Sequence, residues 1–167
     1  RLRTRGLEHI PEEGPAVLVC NHVSFVDALV ISAACSRPIR FVMDHRIFRW
    51  PVLSFVFRHS GAIPIAPARE DAAMMEAAFA EVSRALAAGE LVGLFPEGRI
   101  TFDGEISPFR PGITRILEGN PVPVVPMALR GMWGSMFSRK DGPALSRPLR
   151  RGLLSRIELI AGPALPP

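Results

Sequence analysis

Short apolar runs of strand length alternate along this chain with stretches of helical character, and that alternation limits the fold more than any other feature. Strand candidates are Ala16–Asn21, Ile39–Met43, Ala62–Ile65, Leu91–Phe95, Val122–Leu129 and Ile157–Ile160, with Leu2–Leu7 a weaker one. Between them lie helical segments. The clearest is Glu70 to Ala88, where Met75, Phe79, Val82 and Leu86 form an apolar stripe and Gly89 is a stop signal. A short one, Ile113–Leu117, follows Pro111-Gly112. Strands alternating with helices specify an α/β fold: one domain with a largely parallel, mixed central sheet flanked by helices. In such sheets functional groups collect at the carboxyl ends of the strands. His22 and Glu97 both fall there.

The segment Asn21-His22-Val23-Ser24-Phe25-Val26-Asp27 stands between a strand, Ala16 to Cys20, and a helix running through Cys35, with Ser24 as its expected N-cap. Five residues apart on one helix, His22 and Asp27 would point about 140° apart, since each residue turns roughly 100°. They meet only if His22 precedes the helix and Asp27 lies in its first turn. The residues then read in two ways. Asp27 can hold one imidazole nitrogen as N–H, leaving the other to take a proton from a substrate hydroxyl. Alternatively, Ser24-x-x-Asp27 is a capping box and Asp27 only favours the helix N-terminus. A metal site is a third reading, but no His, Cys or carboxylate cluster accompanies the pair.

Phe95-Pro96-Glu97-Gly98-Arg99-Ile100-Thr101 follows the strand Leu91–Phe95. Pro96 ends the strand and Gly98 lets backbone approach a ligand closely. Arg99 suits a phosphate through charge-assisted hydrogen bonds. An ordinary Pro-Glu-Gly turn is the plainer alternative. His45, after Asp44 at a strand end, is the rival base; His9 and His59 have no comparable setting.

Charge and hydropathy bound the partners. The 167 residues are 48% hydrophobic with net charge +4, and the mean hydropathy of +0.22 and pI of 10.3 are high. This fits one domain with a sizeable core and favours anionic partners: phospholipid headgroups or an acidic carrier protein. Nucleic acid is disfavoured, because Tyr is absent and no basic–aromatic ladder offers a stacking platform. Arg46 to Phe57 is apolar nearly all round, with Pro51 inside it, and reads as either a buried helix or an element dipping into a membrane interface. Arg139, Lys140, Arg147, Arg150, Arg151 and Arg156 form a basic segment suited to anionic lipid or an acidic carrier. Cys20 and Cys35 read as core residues. The chain begins without Met, has no signal peptide and ends in Pro166-Pro167, so residues 1–167 are expected to be a domain cut from a longer multidomain membrane protein.

Taken together and in order, these blocks resemble a known family. NHVSFVD resembles the Asn-His-x-x-x-x-Asp block of the glycerolipid acyltransferases, the 1-acylglycerol-3-phosphate acyltransferase superfamily. FPEGR resembles their Phe-Pro-Glu-Gly block, Gly61-Ala62-Ile63-Pro64-Ile65 the start of a third, and Val122-Pro123-Val124-Val125-Pro126 a late Val-Pro-x-x-Pro block. The family's arginine two positions after Ile65 is replaced by Pro67, with Arg69 nearest, and Glu-Gly-Thr-Arg-Ser reads Glu97-Gly98-Arg99-Ile100-Thr101. FPEGRIT with Gly104 and Phe137-Ser138-Arg139 resembles a narrower group. That group is the acyltransferase domain of bifunctional acyl-carrier-protein synthetase/2-acylglycerophosphoethanolamine acyltransferases and their transporter-fused relatives.

The resemblance implies a glycerol-3-phosphate acyltransferase-like fold held at the cytoplasmic face of the inner membrane. It implies O-acyl transfer from an acyl carrier protein or coenzyme A thioester to a lysophospholipid such as 2-acylglycerophosphoethanolamine, beside a fused acyl-activating ligase or transporter. His22 and Asp27 are the implied catalytic pair, and Asn21, Ser24, Glu97, Gly98, Arg99 and Thr101 the implied substrate-binding set. No metal or cofactor is implied. A lysophosphatidic acid acyltransferase and a non-catalytic membrane-docking module are the competing expectations.

Overall fold

The computed structural model describes residues 2–135, 137–140, 142 and 156–167. Seven strands form one sheet in the order β1-β7-β6-β2-β5-β3-β4. They are β1 (Leu2–Arg5), β2 (Ala16–Cys20), β3 (Ile39–Asp44), β4 (Ile63–Ile65), β5 (Leu91–Leu94), β6 (Val124–Arg130) and β7 (Ile157–Ala161). All neighbours run parallel except β6 and β7. The α/β architecture with a mostly parallel, mixed sheet is the one the alternation specified.

β2 lies at the centre, paired to β5 on one side and β6 on the other. Both of its faces are covered, so AVLVC is apolar without alternation. Ala16, Leu18 and Cys20 belong to one core layer, with Ile31 of α1 (Asp27–Ala34) and Phe57 of α2 (Pro51–His59). Val17 belongs to the other, with Val82 and Leu86 of α3 (Ala68–Ala87) and Ile116 of α4 (Gly112–Gly119).

Three local expectations change. Ser24 is not the N-cap of α1: Val26 occupies that position and the helix starts at Asp27. The stretch before it is tied elsewhere, since Ser24 bridges Ser138 and the Phe25 N–H donates to the Phe137 carbonyl at 3.1 Å. The apolar run from Arg46 to Phe57 is neither wholly buried nor one element. A 3-10 turn (His45–Arg49), capped by Asp44, gives way to α2, which Pro51 starts at its first turn. Phe57 is buried at 2% exposure, whereas Trp50 and Phe55 stand 66% and 65% exposed. In α3 the backbone breaks at Asp71, whose carboxylate accepts from the Met74 N–H at 2.8 Å and so caps the main body of the helix.

Gly93 sits inside β5 for a packing reason. A Cβ there would lie 2.4 Å from Phe41 and 2.9 Å from Ile39. The missing side chain lets Phe41 cross onto β5 and stack on Phe95, with centroids 5.4 Å apart. Gly93→Ala is expected to destabilise the fold by about 1–3 kcal/mol through overpacking. Urea unfolding measures it; an unchanged midpoint would contradict this packing.

Candidate active site

The parallel register of β2 and β5 pairs Val19 with Leu94, so Asn21-His22 and Phe95-Pro96-Glu97 leave the sheet side by side. Asn21 fixes the exit from β2. Its amide Nδ2 donates to the Leu129 carbonyl at 3.1 Å, and its Oδ1 accepts from the Leu129 N–H at 2.7 Å. Both halves of the side chain are spent on β6.

The two sequence motifs then prove to be one structure. Glu97, 2% exposed, accepts the His22 backbone N–H on Oε1 at 2.9 Å and the Ser107 N–H on Oε2 at 2.8 Å. Thr101 donates its N–H to the His22 carbonyl at 2.9 Å. Residues on both sides of the Gly98 turn therefore hold the His22 backbone. Gly98 has φ +64°, and a Cβ there would meet Arg110 Cγ at 3.0 Å. The Thr101 hydroxyl is buried, donating to Asp103 at 2.8 Å and accepting from the Gly104 N–H at 3.0 Å.

Asp27 is fully buried at the first position of α1. Its Oδ2 accepts from Val23 N at 2.7 Å, Ser24 N at 2.8 Å and His22 Nδ1 at 3.0 Å. Its Oδ1 accepts from the Ser24 hydroxyl. The Val23 N–H, the Ser24 N–H and the Ser24 hydroxyl all donate to this carboxylate, which acts as an acceptor. Nδ1 of His22 must then carry a proton, which leaves Nε2 with its lone pair. The imidazole lies flat on Phe95, 4.0 Å between centroids at 14°, so its ring plane is fixed as well. Its side chain is 20% exposed. Nε2 has no hydrogen-bond partner among the described residues and is not a buried orphan. A positioned, tautomer-locked base with a partly exposed ring can accept a proton from a bound hydroxyl.

The other nucleophiles and bases lack this setting. His45 Nδ1 is buried without a hydrogen bond, 3.7 Å from Asp44. His9 and His59 bond backbone carbonyls. Burial, with the Asp27 charge added, pushes the Cys20 thiol up to about 12, and burial also raises Cys35; neither is a ready thiolate. Among the described residues, no group of three or more His, Cys, Asp or Glu side chains is placed to hold a metal. A cavity of about 300 Å³ between α3 and α4 is lined by Phe79, Arg115 and Asn120, against the opposite face of the sheet, and its Arg115 is paired with Glu76.

Three arginines lie on or against the loops that carry His22 and Glu97. Arg99 reaches Ser107 Oγ at 3.4 Å and lies 5.5 Å from the Phe102 centroid. Arg139 lies 5.5 Å from the Phe25 centroid. Arg110 was not expected from the sequence. Its Nε donates to the Glu97 carbonyl at 3.4 Å, and its exposed terminal nitrogens make no hydrogen bond among the described residues. Only a loop closure that brings residue 110 back to Pro96, by a 2.8 Å backbone bond, places it there, and no periodic pattern encodes that. Arg147, Arg150 and Arg151 lie outside the described residues.

A family model described as "Acyltransferase" matches residues 1–130, and the chain belongs to that family. A chloroplastic 1-acyl-sn-glycerol-3-phosphate acyltransferase of Brassica napus is 30% identical over 83% of this chain and 40% of its own length. A lyso-ornithine lipid O-acyltransferase of Rhizobium meliloti is 33% identical over 62% of this chain and 34% of its own. The crystal structure of the 1-acyl-sn-glycerophosphate acyltransferase PlsC from Thermotoga maritima superposes with a TM-score of 0.71 at 19% identity, covering 99% of this chain and 61% of that one. The matched segments thus cover well under half the length of the curated relatives named here.

Glu97→Gln is expected to destabilise the fold by about 1–3 kcal/mol despite its matching shape, because an amide nitrogen would face one of the two backbone N–H donors. Chemical denaturation tests this; wild-type stability in the variant would contradict the bridging role.

Proposed function

We propose that this chain is the catalytic domain of an O-acyltransferase that moves a fatty acyl group from a thioester to the free hydroxyl of a lysophospholipid. The observation that carries the reading is the His22–Asp27 pair: a buried carboxylate fixing Nδ1 and an open Nε2 at the rim of an α/β sheet. Family membership supports the reaction class.

In the proposed reaction the acceptor hydroxyl donates its proton to His22 Nε2 as its oxygen bonds to the thioester carbonyl carbon. Asp27 stabilises the resulting imidazolium without taking the proton. The tetrahedral intermediate collapses, the C–S bond breaks, and the departing thiolate takes the proton back from Nε2. The thioester is already activated, so Ser24 is not required as a nucleophile; its hydroxyl is committed to Asp27. Glu97 and Gly98 shape the floor of the acceptor site, and Arg99 and Arg110 hold the acceptor's phosphate. Asn21 and Thr101 act by holding the His22 loop.

For the acceptor we favour a lysophospholipid with a substituted phosphate, 2-acylglycerophosphoethanolamine being the example. Pro67 replaces an arginine that the family uses with lysophosphatidic acid. The second reading, acylation of 1-acylglycerol-3-phosphate, is favoured by the name of the Brassica relative. The donor is acyl carrier protein or coenzyme A. The working location is peripheral, on the cytoplasmic face of the inner membrane, in a longer protein with an acyl-activating ligase or transporter. No helix among the described residues is long and apolar enough to cross a membrane.

His22→Ala is expected to fold and to lose at least about 10²–10⁴ in turnover; a folded variant with near-normal turnover would overturn the base assignment. Arg110→Ala is expected to raise KM for the lysolipid about tenfold or more, with kcat less affected, as loss of a charge-assisted phosphate contact requires. Mass spectrometry of products from mixed lysolipids with each donor reads the acceptor, and a strong preference for lysophosphatidic acid would select the second reading.

A further inference from the structure

We propose that the loop 102–109 is the element that enters the membrane interface, and that Glu97 couples it to the catalytic histidine. The inference rests on reading the chain as an enzyme of lipid acceptors and extends it to how the lipid is reached.

Phe102, Ile106 and Phe109 are 62%, 67% and 58% exposed. They fall within eight consecutive residues, a density of solvent-facing apolar side chains that a folded surface avoids without a partner. The loop that carries them is braced. Asp103 accepts from the Thr101 hydroxyl at 2.8 Å and the Glu105 N–H at 3.0 Å. A Cβ on Gly104 would lie 2.6 Å from the Trp133 indole, so that ring packs against the loop. Ser107 N–H is held by Glu97 at 2.8 Å and Arg110 N–H by Pro96 at 2.8 Å. The apolar side chains are thus presented on a preformed scaffold, and burying them costs little further ordering of the backbone.

The charge around the loop selects the partner. Arg99 stacks toward Phe102 at 5.5 Å and Arg110 follows Phe109 directly. Asp103 and Glu105 lie between them and are exposed; hydrogen bonds within the turn keep the Asp103 carboxyl below its usual range, so the acids offset the arginine charge and the arginines act as local phosphate contacts. An apolar tip flanked by Arg99 and Arg110 fits the acyl–headgroup boundary of a phospholipid bilayer, where aromatic and aliphatic groups enter and arginines stay at the phosphates. The site behind the loop must also receive a lipid. The same Glu97 carboxylate binds the Ser107 N–H of the loop and the His22 N–H, so insertion sets the height of Nε2 above the membrane.

The test is flotation of the full chain on vesicles of phosphatidylethanolamine and phosphatidylglycerol, without acyl donor. The paired variant Ile106→Asp/Phe109→Asp is expected to lose at least about tenfold in vesicle partitioning, as binding scales with buried apolar area. Ile106→Leu/Phe109→Leu is expected to bind within about twofold of wild type, which separates loss of apolarity from a packing defect. Both variants are expected to keep activity on a short-chain acceptor dissolved as monomer. The proposal is overturned if wild type does not float. It is also overturned if the folded aspartate variant floats like wild type, or if Trp50→Asp/Phe55→Asp abolishes binding while the loop variant does not. A lipid-free dimer that the aspartate variant converts to monomer would overturn it too, in favour of a second copy of the chain. Flotation does not depend on acyl transfer: a catalytically dead His22→Ala chain that floats would separate failure of the enzyme reading from failure of this one.

Discussion

Everything at the rim of this sheet depends on the buried carboxylate of Asp27. A fully desolvated charge is tolerated in a fold only when hydrogen bonds and dipoles replace its water. Here two backbone N–H groups, one hydroxyl, one imidazole nitrogen and the start of a helix do so. Each donor constrains the chain that supplies it, so residues 22 to 24 are wrapped around the carboxylate. The capping box itself does not form, because the helix starts at Asp27 with Val26 as its N-cap, but the Ser24–Asp27 contact does. The Ser24 N–H does donate to Asp27, as half of a capping box would have it, while His22 takes a further site on the same oxygen.

A second buried carboxylate makes the arrangement cooperative. Glu97 holds the His22 backbone from the far side, Asn21 pins the preceding residue to β6, and Phe95 supports the imidazole face. Phe95 rests on Phe41, and Phe41 has its place because β5 carries glycine at position 93. A packing decision in the sheet centre is therefore transmitted through two stacked rings to the orientation of Nε2. In the proposed reaction this chain of contacts fixes the proton-accepting atom within the narrow tolerance that proximity effects demand.

Much of this was legible in the residues. Short apolar runs separated by helical segments specified the α/β sheet, because a strand buried on both faces has to be apolar at every position. The strand-end positions of His22 and Glu97 followed from the same pattern. The start of α1 departs from the sequence reading, because Ser24 is a good N-cap locally but its hydroxyl is spent on Asp27 and its backbone bridges Ser138. The run around Pro51 was ambiguous because its composition does not say which side faces the core. Arg110 was not legible at all: its place beside Glu97 comes from a loop closing over more than ten residues, and no local spacing records it. The bond from Glu97 to the His22 backbone was likewise invisible, although both residues were singled out.

In the proposed mechanism Asp27 acts through His22 and has no separate catalytic effect. A double-mutant cycle of His22→Ala and Asp27→Ala, read as turnover on one thioester and one lysolipid, tests it most directly. The account predicts strong non-additivity: once His22 is gone, removing Asp27 slows transfer by no more than about threefold. Losses that multiply in the double variant, each residue keeping its full effect without the other, would contradict it.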